Sequence, residues 1–178
     1  MTGPSAGPAS GSSSRIVVRR ARTADVRDIR ALTQPLAEAR VLVAKDAVAY
    51  YESVQEFRVA EVDGRFAGCG ALHVMWEDLA EVRTLAVDEA YRGRGVGGAL
   101  LEALLADARE LGVRRVFTLT FEVPFFTRHG FQPIDGTPVA PDVYGELLRS
   151  HDDGVAEFLD LARVKPNTLG NTRMLRYL

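Results

Sequence analysis

The sequence predicts one mixed α/β domain, and three observations carry that expectation. Strand-like and helix-like stretches follow one another in the order β, α, α, β, β, β; a β-α-β unit comes next, with a glycine run opening its helix. The chain has 178 residues and is 47% apolar. That is enough to bury about two thirds of the surface the unfolded chain exposes, without metal or disulfide staples.

The elements can be justified in order. Residues 1–14 are Gly, Ser, Pro and Ala with little else, carry no apolar period and lack the apolar core of a secretory signal, so they are expected to be a disordered tail ahead of a single domain over 15–178. "RIVVRRA" reads as a strand. "TADVRDIRALTQPLAEA" reads as a helix with Thr23 as N-cap and Val26, Ile29, Leu32 and Leu36 on one face, broken or kinked at Pro35. "DAVAYYESVQEF" offers a short second helix. "FRVAEVDGRFAGCGALHVM" is a hairpin turning on Asp63-Gly64, and "LAEVRTLAVD" is a further strand.

The next helix, over 95–111, presents Val96, Leu100, Leu101, Leu104, Leu105, Ala108 and Leu111 as an apolar stripe and stops at Gly112. The strand "RRVFTLTF" completes the β-α-β unit. "FFTRH" is a helical turn, "GFQPI" a strand, "APDVYGELLRSH" helical and "TRMLRYL" a closing strand, while "DGVAEFLDLARVKPN" fits helix and strand equally.

Composition excludes several functions. A formal charge of −2 gives no general attraction to nucleic acid or anionic lipid, and no apolar run reaches the roughly 18 residues of a membrane helix. Cys69 is the single cysteine, so no internal disulfide is possible and a reducing cytoplasm is the expected setting. His73, His129 and His151 have no metal-ligand spacing with one another or with Cys69, and no metal is expected. The expected partners are small molecules and a second copy of the chain, as a homodimer.

"LAVDEAYRGRGVGGALLEAL" raises the question of a phosphate ligand. Gly93, Gly95 and Gly98 satisfy G-x-G-x-x-G, and Gly93, Gly95 and Gly97 ahead of a helix offer converging backbone N–H groups at the positive end of its dipole, with Arg92 and Arg94 adding charge. Three readings stay open on this pattern: a dinucleotide, coenzyme A, or a bare turn. Glu122, ending the next strand, sits where a dinucleotide fold places its ribose-binding acid; against this, Asp88 to Arg92 separate the glycines from their strand and about seventy structured residues precede it.

"VDEAYRGRGVGGALLEAL" resembles motif A of the GCN5-related N-acetyltransferases (GNAT), Arg/Gln-x-x-Gly-x-Gly/Ala, met here by Arg92, Gly95 and Gly97. "FFTRHGF" is similar to the family's motif B, and the match covers 79–131. The resemblance implies the acyl-CoA N-acyltransferase fold, with its central parallel strands, here 82–87 and 115–120, splayed by a bulge. It also implies acetyl-CoA as co-substrate: Arg92, Gly93, Arg94, Gly95, Val96, Gly97 and Gly98 around the pyrophosphate, the backbone of Leu85, Ala86 and Val87 along the pantetheine arm, and Phe126 near the thioester.

A longer run, "EARVLVAKDAVAYYESVQEFRVAEVDGRFAGCGALHVMWEDLAEVRTLAVDEAYRGRGVG", resembles the acetyltransferase domain of N-acetylglutamate synthases, and "NTRML" is similar to that family's closing strand. The expected activity is therefore transfer of acetyl to the α-amine of L-glutamate or L-glutamine, the first step of arginine biosynthesis. The larger synthases also carry an amino-acid kinase-like regulatory domain with no counterpart in these residues, so a short, stand-alone synthase is the closest description. The alternatives are an acetyltransferase for another amine, such as a protein N-terminus, a lysine or a drug, and a non-catalytic acyl-CoA sensor.

By the same resemblance Glu81 is the candidate base for the ammonium proton, with Glu122 the other side-chain candidate for catalysis. Many relatives place a tyrosine four residues before the motif B glycine, but Phe126 stands there and has no proton to give. Lys45 occupies the family's basic position and Arg83 projects from the strand lining the acceptor site. Both suit an α-carboxylate, with Asn171 and Arg173 as further substrate-binding candidates.

Overall fold

The computed structural model of the chain describes residues 14–164 and 170–178. Seven strands form one sheet: β1 (Ile16–Arg20), β2 (Phe57–Val62), β3 (Arg65–Trp76), β4 (Leu79–Val87), β5 (Arg115–Thr120), β6 (Gln132–Pro133) and β7 (Thr172–Tyr177). Their order is β1-β2-β3-β4-β5-β7-β6, antiparallel throughout except for the parallel pair β4 and β5. The helices are α1 (Val26–Glu38), α2 (Ala47–Glu52), α3 (Val96–Glu110), α4 (Val123–Arg128), α5 (Pro141–Leu147) and α6 (Asp153–Phe158). This is a mixed α/β arrangement of the kind the resemblance implies.

The expected elements are present, with local corrections. Thr23 does not cap α1: it lies in a 3-10 turn, Thr23–Asp25, that Asp25 closes by accepting the backbone N–H of Arg22 at 2.6 Å. Pro35 does not end α1, which runs on to Glu38. Leu111, expected on the stripe of α3, is 62% exposed because α3 ends at Glu110. The ambiguous segment 153–167 begins as α6 and a 3-10 turn, Ala162–Val164; its last residues, like most of the expected tail, lie outside the described residues.

Period-two alternation sorts the strands between two faces. Leu100, Leu101, Leu104, Leu105 and Ala108 of α3 are fully buried against one face, meeting Ala60 and Val62 of β2 and Ala80 and Val82 of β4. Each of those leucines contributes about 2 kcal/mol of burial. On the other face Val26, Ile29 and Tyr50, from α1 and α2, cover Val59, Cys69, Ala71 and Ala86. Further along that face, Val155 and Phe158 of α6 and Leu147 of α5 cover Leu79, Phe117 and Leu175.

The alternation in β4 breaks once, and the break positions everything that follows. Thr84 has φ +56°, and the β3–β4 register slips between Cys69, opposite Ala86, and Ala71, opposite Arg83. A β-branched residue in the left-handed region is a strained outlier of the kind a bulge holds in place. Ahead of it Ala80 and Val82 face α3; after it Leu85 and Val87 do. Parallel pairing with β5 stops at Glu81, opposite Phe117. Beyond that point the two strands diverge, bridged by Thr118 Oγ1, which donates to the Val82 carbonyl at 3.0 Å. The bulge and splay that the resemblance implied are both present.

Candidate active site

The glycine loop enters α3 through two residues that need a positive φ, Gly93 at +74° and Gly95 at +86°. A 3-10 turn, Glu89–Tyr91, capped by Asp88, delivers the chain to them. Within the described residues, the first α3 amide to find an intrahelical carbonyl is Ala99 N, on Gly95 O at 3.0 Å. The N–H groups of Val96, Gly97 and Gly98 therefore point ahead of the helix at the positive end of its dipole. Arg92 and Arg94 flank them in solvent. A Cβ at Gly93 would meet nothing within 4 Å, and one at Gly95 only Ile16 Cδ1 at 3.9 Å, so the space over the loop is open. That suits a diphosphate, and the splayed backbone of Leu85, Ala86 and Val87 leads away from it into the sheet. Phe126 lies in the core, 4% exposed, against Phe125 and Phe131.

Beside the splay, on the face of α1, α2 and α6, lies a cavity of about 450 Å³. Its lining brings together Lys45, Glu81, Arg83 and Asn171, which lie far apart in sequence. Glu56, His73, His151, Asp152 and Glu157 also line it, as does Thr84 of the bulge.

Glu81 is the last β4 residue paired with β5 and is 3% exposed. Its Oε2 is buried with no hydrogen-bond partner among the described residues. Burial pushes its carboxyl up to about 7; the charges of Glu157 and Asp152 add to the rise, and Arg83, whose guanidinium lies 3.8 Å from Oε2, opposes it. Glu157 is likewise pushed up to about 7, by burial and then by Asp153 and Asp152. A carboxyl poised near neutrality can be ionised to accept a proton and still hold it firmly, which suits a general base.

Arg83 is already engaged. Its guanidinium donates to Asp152 at 2.8 Å and Glu56 at 3.1 Å, while His73 Nδ1 hydrogen-bonds Glu56 at 2.8 Å. Burial alone would lower the Arg83 pKa, but Glu81, Asp152 and Glu56 more than offset it and the net shift is upward. Burial would raise Glu56 and Asp152, yet His73 and Arg83 hold both below the ordinary carboxylate value. Lys45 forms no ion pair with a described residue; burial and the charge of Arg83 lower its pKa, against Glu81, Asp152 and Glu56.

Two candidates fall outside this cavity. Glu122 is exposed at the N-terminus of α4 and does not line it. Arg173 turns the other way: its guanidinium donates to the carbonyls of Glu157 at 3.1 Å, Gly136 at 2.9 Å and Phe158, and so holds the C-terminal end of α6 with a cation where the helix dipole is negative. Cys69 is buried under the bulge, its thiol pushed up to about 12, and is inert. Among the described residues no group of His, Cys, Asp and Glu is arranged to hold a metal, and no helix is long and apolar enough to cross a membrane.

Residues 25–131 match the family described as Acetyltransferase (GNAT) family. The amino-acid acetyltransferase of Mycobacterium tuberculosis is 56% identical over 167 residues, covering 92% of this chain and 95% of that protein. A Mycobacterium tuberculosis crystal structure in complex with CoA and a second ligand superposes with a TM-score of 0.87 at 56% identity, over 91% of this chain and 99% of that one. N-acetylglutamate synthase from Neisseria gonorrhoeae, complexed with coenzyme A and N-acetyl-glutamate, superposes with a TM-score of 0.74 at 25% identity; the match covers 92% of this chain but 35% of that longer protein.

Proposed function

This chain belongs to the GNAT acetyltransferase family, and from that premise we propose that it transfers acetyl from acetyl-CoA to the α-amine of L-glutamate or L-glutamine, as a synthase of the N-acetylglutamate type. The observation that carries this reading is Glu81: a buried carboxyl with one oxygen that has no hydrogen-bond partner among the described residues, beside the splay and facing a cavity that also holds Lys45. Placement in arginine biosynthesis, a cytoplasmic setting and a homodimer belong to the same reading and rest on the sequence.

Acetyl-CoA supplies the acetyl group as a thioester. The chain holds it at the pyrophosphate through the amides of Val96, Gly97 and Gly98 with Arg92 and Arg94, and along the arm through the backbone of Leu85, Ala86 and Val87. Lys45, free of ion pairs with described residues, binds the α-carboxylate of the acceptor, and Asn171 and Arg83 complete that wall. Glu81 takes the ammonium proton, leaving a neutral amine able to attack. Phe126 offers no proton to the departing thiolate, which at neutral pH needs little help to leave. The cavity lining carries more carboxylates than cations: Glu52, Glu56, Glu81, Asp152, Asp153 and Glu157 against Arg40, Lys45 and Arg83. That balance supports the neutral side chain of glutamine over a second carboxylate.

Incubating the protein with acetyl-CoA, a thiol reagent and a panel of free amino acids, polyamines and peptide N-termini tests the assignment. Fastest thiol release with glutamine or glutamate is expected. Faster release with peptides or polyamines would overturn the synthase reading and leave the fold intact, and release with none would favour an acyl-CoA sensor.

A further inference from the structure

The first turn of α6 lies directly on Glu81, and Gly154 is the reason it can. A Cβ at Gly154 would stand 2.0 Å from Glu81 Oε2, 2.8 Å from its Cδ and 3.0 Å from Asp152 Oδ1. Atoms do not approach so closely, and the glycine is buried, so a side chain there has no other direction to take. Gly154 is not in the left-handed region. Its φ suits any residue, and within a helix alanine is the better helix former. Backbone conformation thus gives no reason for glycine here; contact with Glu81 does.

The turn is also fastened from both sides. Asp152 caps α6 by accepting Val155 N–H at 3.1 Å and, through its other oxygen, takes the Arg83 guanidinium at 2.8 Å. Arg83 lies two residues beyond Glu81 on the same strand, so the cap and the carboxyl share one anchor.

We propose that Gly154 is a positioning residue for the transfer reaction: lacking a side chain, it lets α6 close over Glu81 and keeps that carboxylate buried at the cavity wall, without a hydrogen-bond partner among the described residues. The inference rests on Glu81 acting as the base. A methyl group at 154 displaces the mobile end of Glu81 into the cavity, where water reaches it. Arg83 on β4, Asp152 before α6, Glu157 on α6, His73 on β3 and Lys45 ahead of α2 are the charged and titratable groups that surround it. With burial lost, those that remain leave it a more ordinary carboxylate.

Steady-state kinetics against pH on Gly154→Ala, Glu81→Asp, their combination and Glu81→Gln tests this. Gly154→Ala is expected to lower kcat about tenfold or more, leave the KM for acetyl-CoA unchanged and move the acid limb of kcat/KM to lower pH. Glu81→Asp retracts the carboxylate by one methylene, so adding Gly154→Ala to it should cost less than about threefold. An unmoved acid limb, or equal losses in the two backgrounds, would overturn the proposal while leaving Glu81 as base. If Glu81→Gln keeps full kcat, the base reading fails and the proposal with it. Should Gly154→Ala not fold, the double variant decides: it folds if the Glu81 carboxylate is what the methyl meets, and stays unfolded if it is not.

Discussion

Replacing Glu81 by Gln should make the protein more stable at neutral and alkaline pH while removing its activity. The folded state lifts the Glu81 carboxyl from 4.5 to about 7, chiefly by burial. At about 1.4 kcal/mol per pH unit, ionising it costs the folded state about 3 kcal/mol relative to the unfolded chain. The sign follows from proton counts: between 4.5 and about 7 the folded state keeps a proton that the unfolded state has lost, so stability falls as pH rises through that window. Glutamine carries no proton and lacks this slope. Near pH 5 the variant and the wild type should be similarly stable, since each presents a neutral group with an unpaired oxygen; near pH 8 the variant should be ahead by about 3 kcal/mol. For a chain of this size that is roughly 6–12 °C in Tm. Glu157 contributes a slope of the same sign to both proteins, which largely cancels in the difference. Thermal unfolding followed by circular dichroism across this range at fixed ionic strength reads the effect. A difference that stays constant with pH, or a wild type that gains on the variant as pH rises, would refute the reasoning.

Other substitutions separate the two ligand regions. Gly95→Asp puts a side chain and a negative charge at a residue with φ +86°, at the mouth of the anion site; the rise in Tm that acetyl-CoA gives the wild type should disappear, and an unchanged rise would move the pyrophosphate elsewhere. Lys45→Ala should raise the amino-acid KM far more than that of acetyl-CoA and cut kcat/KM by the roughly ten- to hundredfold that one charge-assisted contact carries; equal changes in both KM values would count against an acceptor-side role. Arg83→Ala should instead lose stability, by about 1–3 kcal/mol, because Glu56 and Asp152 would each lose a charge-assisted partner and keep only His73 and the Val155 N–H. A Tm equal to that of the wild type would show that the ion-pair cluster does not hold α6 to β4.

The part of the fold written in local pattern was legible in the sequence. The Asp63-Gly64 hairpin is there, with both residues at positive φ. The glycine loop and the stripe of α3 follow from helix periodicity and turn chemistry, and the splay from the family resemblance. The candidate site was legible only where the resemblance reached: Glu81, Lys45, Arg83 and Asn171 converge on one cavity. Glu56, Asp152 and Glu157 were missed because their role depends on tertiary neighbours. Glu157 lay in a segment whose period fits helix and strand alike, and His73 drew attention only as a metal ligand. One local signal was available for α6: an aspartate followed three residues later by an apolar run is an N-cap, and it is Asp152 that caps the turn over Glu81. Arg173 and Glu122 are candidates that the structure places away from the cavity. A cation in the closing strand reads as a substrate ligand until its carbonyl partners on α6 are seen, and Glu122, two residues past β5, stands exposed at the N-terminus of α4, outside the cavity.

The pH dependence of kcat/KM for the preferred amino acid, measured side by side for wild type and Glu81→Gln, bears most directly on whether the buried carboxyl drives transfer. The wild type should rise with pH to a plateau through about 7, as Glu81 gives up its proton. The variant should lose that rise and fall by about a hundredfold or more, the usual contribution of a general base. A Glu81→Gln enzyme that keeps both its rate, to within about threefold, and the same rise through neutrality would contradict the assignment of Glu81 as the base.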